Sequence, residues 1–209
     1  MRDAVVVGAV RSPIGRAKAG GSLVGLHPVD LQAHVLRELV QRTGLDPARV
    51  DDVIGGTVGQ IGEQSSNTTR LAVLAAGFPE SVPAVTVDRQ CGSSQQALHF
   101  AAQGIVSGAY DVAIATGVES MSRVPIGSST AGADPFGTGV GDRYADGLLP
   151  QGISAELVAQ RWGLSRRQLD EFAVRSHQRA AAAWADGRFD DEVAPVKADA
   201  EVGYYEGEE

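Results

Sequence analysis

A short β-branched run that turns abruptly into a helix at the only cysteine constrains this chain more than any other feature. Val85, Thr86 and Val87 favour a short buried strand. Cys91-Gly92-Ser93-Ser94 then leads into Ala97, Leu98, Ala101 and Ile105, spaced as the apolar face of a helix. Cys91 therefore falls where that helix starts. Unpaired N–H groups and the positive end of the helix dipole favour a thiolate there, the nucleophilic form of cysteine. Gly92 keeps the turn unhindered and lets a substrate carbonyl approach the backbone. The pattern is that of a covalent nucleophile beside an oxyanion site. A small buried hydrophobe is the other reading of a lone cysteine, and position alone supports the two equally.

The flanking sequence supplies a sheet for this turn. Residues 4–9 form a continuous apolar run, as a strand buried on both faces requires. The basic segment from Arg11 to Arg16 reads as a solvated loop. Pro28 suits the first turn of a helix carrying Leu31, Val35, Leu36, Leu39 and Val40, with Gly44 as its C-terminal cap. Residues 53–58 form a second strand whose glycines signal close backbone approach. A helix over about residues 68–76 ends at Gly77 and Pro79. Gly104 and Gly108 in the helix after Cys91 imply a close neighbour, and residues 110–117 form a fourth strand. The order βαβαβαβ predicts an α/β fold, a mainly parallel sheet flanked by helices. Cys91 then lies at the carboxyl end of a strand, where such sheets bind ligands.

Composition shifts after Met121, and the sequence divides into an α/β domain over residues 1–120 and a mostly helical domain over 121–209. Residues 126–147 read as loop. Ser154 suits the N-cap of a helix ending near Trp162, and Ser165 and Gln168 form a capping box. The helix it opens, ended by Gly187, is expected to turn Leu169, Phe172, Ala173, Ala180 and Trp184 inward. His27, His34, His99 and His177 have no partner motif, so structural roles are expected of them. The acidic end, Glu206-Gly207-Glu208-Glu209, reads as solvated.

With 209 residues, of which 43% are hydrophobic, the chain can build one large or two small cores. A formal net charge of −8 argues against nucleic acid as the main partner. One cysteine makes no internal disulfide, and no Cys/His cluster has zinc spacing, so neither a metal nor a resident cofactor is expected. A working thiolate fits a reducing compartment, the cytoplasm. The first apolar run is too short for a signal peptide, no segment approaches a membrane span, and the C-terminus carries no peroxisomal signal.

Two motifs together carry a resemblance. Asp88-Arg89-Gln90-Cys91-Gly92-Ser93-Ser94, followed by Ala115-Thr116-Gly117-Val118-Glu119-Ser120-Met121-Ser122, resembles the nucleophile motif and the downstream Gly-x-Glu-Ser-Met-Ser motif of the thiolases, which are acyl-CoA:acetyl-CoA acyltransferases. Arg11-Ser12-Pro13-Ile14-Gly15 is similar to a segment after their first strand. Leu148 to Glu156, Trp162 to Arg166 and Asp186 to Asp190 resemble their loop domain, which covers the active site and grips CoA. The pattern at Pro150-Gln151-Gly152-Ile153-Ser154 is closer to degradative 3-ketoacyl-CoA thiolases of fatty-acid β-oxidation than to biosynthetic acetoacetyl-CoA thiolases.

The resemblance implies ping-pong acyl transfer through Cys91, with CoA as substrate. It implies that Leu148 lies near the CoA pantetheine. Gln151, which replaces the family's Met, implies a less apolar wall of the acyl pocket. It further implies homodimers or tetramers. The family's Gly-His-Pro histidine and Cys-x-Gly cysteine have no counterpart here, so the chain resembles a first half. Expected of it are little turnover alone, an exposed apolar interface, and association with itself or a complementary half. A catalytically silent acyl-CoA-binding or scaffold subunit is the alternative. A decarboxylating ketoacyl synthase on the same fold fits the loop-domain motifs less well.

Overall fold

The computed structural model describes residues 2–18, 20–145, 147–197 and 204–205. Two compact units emerge, Met1–Ala131 with Asp191–Glu209, and Gly132–Asp190. The sequence division at 120/121 thus falls eleven residues short of this one, and residues from Asp191 onward return to the first unit.

The first unit is built on a parallel sheet of β1 (Asp52–Gly56), β2 (Ala84–Val87) and β3 (Ala113–Gly117) in the order β2-β1-β3. Alternation along β1 divides the interior. Val53 joins a cluster with Val29, Ala33 and Leu36 of α1 (Pro28–Thr43), Ala72 and Val73 of α2 (Thr68–Ala75), and Ile114. Ile54 points the other way, to Ala97 and Ala101 of α3 (Ser93–Ser107). The layers are therefore helices, sheet, helix, as the α/β reading requires.

Local signals account for the helix ends. Gly44 takes φ 65° after α1 and Gly108 takes φ 81° after α3. His27 caps α1, its Nδ1 accepting from the Val29 N–H at 3.2 Å. Gly104 has a different reason: a Cβ there would lie 2.1 Å from the Tyr110 ring. The glycines of β1 likewise receive helices. A Cβ on Gly55 would lie 2.0 Å from the Thr69 hydroxyl of α2, and one on Gly56 2.4 Å from the Ser94 nitrogen of α3.

The expected first strand is corrected. Residues 4–9 form no strand and pair with none among the described residues, and Val5, Val6 and Val7 are 75%, 74% and 82% exposed. Grooves of about 650 and 890 Å³ separate this run from β3. An apolar run becomes a strand only beside an edge that hydrogen-bonds it. The run is tied down just beyond, where Arg11 and Ala194 exchange backbone hydrogen bonds with Glu192 and Arg11 at 2.8 Å. In α1 the inward stripe is also shifted: Gln32 is buried, whereas Leu31 and Val35 are only half-buried.

The second unit contains α4 (Gly137–Arg143), α5 (Gln151–Arg161) and α6 (Arg166–Ala185). Helix α4 lies inside the segment expected as loop. Helix α5 starts directly after Pro150, which places Ser154 within it and not at its cap. The capping box of Ser165 and Gln168 is formed in both directions. No residue of α6 is buried and Phe172 is 69% exposed, so the expected inward face is not a core. Trp184 instead meets Phe189 edge to face at 5.0 Å. In the first unit, β4 (Val196–Lys197) pairs antiparallel with β5 (Tyr204–Tyr205). Residues 206–209 lie outside the described residues. No helix among the described residues is long and apolar enough to cross a membrane.

Candidate active site at the tip of α3

Cys91 occupies the turn between β2 and α3, and its side chain is exposed. The buried-hydrophobe reading is thereby excluded. Gln90, just before it, is held at φ 48°, a left-handed conformation uncommon for a side chain without glycine's freedom. Asp88 contributes an Asx turn, its Oδ1 accepting from the Gln90 N–H at 2.7 Å. The Ser93 hydroxyl spans the turn, accepting from the Arg89 N–H at 2.9 Å and donating to the Gln90 carbonyl at 2.5 Å.

Two amides of the turn are engaged within it. Gly92 N–H donates to the Arg89 carbonyl at 3.1 Å and Ser93 N–H to the Gln90 carbonyl at 3.0 Å. The Cys91 N–H has no acceptor among the described residues. It is thus a free donor next to the thiol. The space beside Gly92 is open as expected, since a Cβ there would meet only Arg89, at 3.5 Å or more.

The carboxyl ends of the strands form the floor beneath this turn. Gly56 and Gly117 are register partners in β1 and β3. A Cβ on Gly117 would lie 2.2 Å from the Ser94 hydroxyl and 2.8 Å from the Gly56 carbonyl. Strand ends are laced together by Val118 N–H to Gly56 O, Thr57 N–H to Val87 O, both at 3.1 Å, and the Thr57 hydroxyl to Val118 O at 3.0 Å.

Glu119, a motif residue without an assigned role in the sequence, knits the loops after β1 and β3. Its carboxylate accepts from Val58 N–H at 2.8 Å, Gly59 N–H at 3.2 Å and the Gln64 amide at 2.8 Å. Gln64 closes the loop by accepting from Ser120 N–H at 2.7 Å. Its full burial was the signal the sequence could not display.

Cys91 belongs to the first unit, whereas Leu148 and Gln151 belong to the second, three residues apart across the start of α5. Both of the latter are exposed. No histidine or carboxylate hydrogen-bonds to the Cys91 Sγ among the described residues. No group of three or more His, Cys, Asp or Glu side chains among them is placed to hold a metal ion.

The sequence profile described as "Thiolase, N-terminal domain" matches residues 4–206. The steroid 3-ketoacyl-CoA thiolase FadA6 of Mycobacterium tuberculosis is 48% identical over 205 residues, 94% of this chain and 50% of that protein. A 3-ketoacyl-CoA thiolase of Pseudoalteromonas translucida is 46% identical over 97% of this chain and 51% of its own length. Among solved structures, the crystal structure of the Bacillus anthracis acetyl-CoA acetyltransferase superposes with a TM-score of 0.80 at 37% identity, over 96% of this chain and 52% of that one. The chain spans about half the length of the curated relatives it matches.

Proposed function

This chain belongs to the thiolase family, and from that premise we propose that it carries the nucleophile half of a CoA-dependent acyltransferase acting on 3-ketoacyl-CoA. The observation that carries the reading is the exposed Cys91 thiol at the tip of α3, beside its own unengaged N–H. In the cleavage direction, the Cys91 thiolate adds to the keto carbon of the substrate. The bond between that carbon and C2 breaks, and the two-carbon fragment leaves as acetyl-CoA after taking up one proton. The shortened acyl group remains on Sγ as a thioester. A CoA thiol, losing its proton, adds to the thioester carbonyl and Cys91 leaves as thiolate. Condensation is the same sequence reversed. The free Cys91 N–H contributes a donor to the oxyanion of each tetrahedral intermediate.

Leu148 is assigned to the CoA pantetheine and Gln151 to the acyl pocket wall. Their exposure at the start of α5 is compatible with ligand contact. CoA is substrate here, and no resident cofactor enters the scheme. The proposed compartment is the cytoplasm, where the single thiol stays reduced.

The partner is a second copy or a complementary thiolase half. Supporting this, the unpaired apolar run at residues 4–9 faces β3 across an open groove. The wall of that groove includes Gln32, 1% exposed with neither side-chain amide atom hydrogen-bonded. An orphaned buried amide costs about 1–3 kcal/mol, which a seated polypeptide would relieve.

A second reading is a silent acyl-CoA-binding subunit, favoured by the lack of any base hydrogen-bonded to Cys91 among the described residues. Each absent proton-transfer group lowers turnover by roughly 10²–10⁴-fold. Intact-mass spectrometry after mixing the chain with acetyl-CoA separates the two readings. A mass gain of one acetyl group that is absent in Cys91→Ala supports the nucleophile. An unmodified, folded chain supports the silent subunit.

A further inference from the structure

The hydroxyl that crosses the nucleophile turn is buried, although the thiol it flanks is exposed. Ser93 is 4% exposed and forms its two side-chain hydrogen bonds entirely within the turn. Between its partners stands Gln90 at φ 48°. A non-glycine residue persists in such a conformation only where its surroundings over-determine it. Two side chains do so here: Asp88 holds the Gln90 N–H, and Ser93 holds the Gln90 carbonyl. The next peptide is that of Cys91, so the orientation of Gln90 fixes the direction of the Cys91 N–H.

Resting on the nucleophile reading above, we propose that Ser93 is a positioning residue for acyl transfer. Its hydroxyl clamps the left-handed Gln90 and thereby sets the Cys91 N–H and Sγ on one side of an incoming thioester carbonyl. Ser93 touches neither substrate nor the reacting atoms. Without its hydroxyl, the Arg89 N–H loses its acceptor and the Gln90 carbonyl keeps only the backbone donor of residue 93. Gln90 then relaxes toward negative φ, and the Cys91 N–H swings away from the carbonyl oxygen. The thiol itself stays exposed.

The proposal separates two reactions of one thiol. Alkylation by iodoacetamide is a displacement at an sp³ carbon and has no oxyanion to stabilise. Acylation by acetyl-CoA passes through one. In the full chain, Ser93→Ala should alkylate at Cys91 within about threefold of the unmutated rate. Its acylation, read by intact mass, should fall roughly 10–100-fold, the scale of misaligned reacting groups. Ser93→Thr retains the hydroxyl and should recover most of the loss. Gln90→Gly accepts positive φ without strain, so Ser93→Ala should cost much less in a Gln90→Gly background. That coupling is read from the double-mutant cycle.

Equal acylation of Ser93→Ala and the unmutated chain overturns the positioning role and leaves the nucleophile standing. So does a parallel loss of alkylation and acylation that Gln90→Gly fails to rescue, because that is the signature of general unfolding. No acylation of the unmutated chain, with iodoacetamide still reacting, overturns the nucleophile reading and this proposal with it.

Discussion

Replacing Gly56 with alanine tests whether the floor of the site is as tight as the geometry requires. The added Cβ would lie 2.4 Å from the Ser94 nitrogen, 2.5 Å from the Ser93 carbonyl carbon and 2.8 Å from the Ser93 Cβ. Carbon atoms pack favourably at about 3.5–4.0 Å, so β1 and the tip of α3 must separate by about 1 Å. Two of those three atoms are backbone, and no side-chain rotation relieves the contact. Nor can β1 retreat easily, because it is paired on both edges, with β2 and β3. Overpacking of this kind costs about 1–3 kcal/mol. Loss of unfolded-state freedom returns about 0.4–1 kcal/mol. A net loss near 2 kcal/mol is expected from the unyielding surroundings. With a urea m-value of about 2 kcal/mol/M, the unfolding midpoint followed by far-UV circular dichroism should drop by about 1 M. Gly92→Ala is the control, since its Cβ meets only ordinary contacts at 3.5 Å or more. Its stability should change by no more than about 0.5 kcal/mol. Separation of α3 also displaces Cys91, so acylation of Gly56→Ala should slow by roughly tenfold or more. An unshifted midpoint for Gly56→Ala, or an equal drop for both variants, would refute the account of a backbone-tight floor.

Leu36→Ala, in the cluster between α1 and the sheet, should cost about 2–5 kcal/mol in urea unfolding. Leu98→Ala, on the exposed side of α3, should cost far less. Acid should weaken the first unit. Hydrogen bonds from the Val112 and Asp111 amides hold the Asp51 carboxyl below its ordinary range, and Arg123 does the same for Glu63. Carboxyls lowered on folding stabilise fully above their unfolded pKa, about 4. The urea midpoint should thus hold from pH 7 to about 5 and fall below about 4. Glu63→Gln should flatten that fall, and an unchanged profile would remove Glu63 from it. Sedimentation should find the chain in dimers or larger assemblies, driven by the exposed apolar run at residues 4–9. A stable monomer would contradict the proposed association.

Much of the site was legible because it is written locally. A β-branched triplet, a turn and a helical stripe specify β2, the Cys91 turn and α3 within some twenty residues. Gly44 ends α1 through its own φ, and Ser165 with Gln168 caps α6 by adjacent hydrogen bonds; Gly108, read from the sequence as marking a close neighbour, instead ends α3 at φ 81°. The motif containing Glu119 marked the right loop. Its task of holding Val58 and Gly59 became visible only once β1 and β3 lay side by side.

The remaining features depend on distant chain. Residues 4–9 have the composition of a buried strand, yet burial requires a paired edge, and none among the described residues pairs with them. Phe172 has the right helical phase for a core but is 69% exposed. Gln32 is polar and buried because of where α1 docks. By itself, then, the sequence determined β2, the Cys91 turn and α3, the caps at Gly44 and Ser165, and the cysteine at a helix tip, since each is set by neighbours a few residues away. Tertiary structure alone decided which faces are buried, which strands pair, and that glycines 56 and 117 lie beneath the nucleophile turn. Burial and close approach are properties of segments that meet only in space.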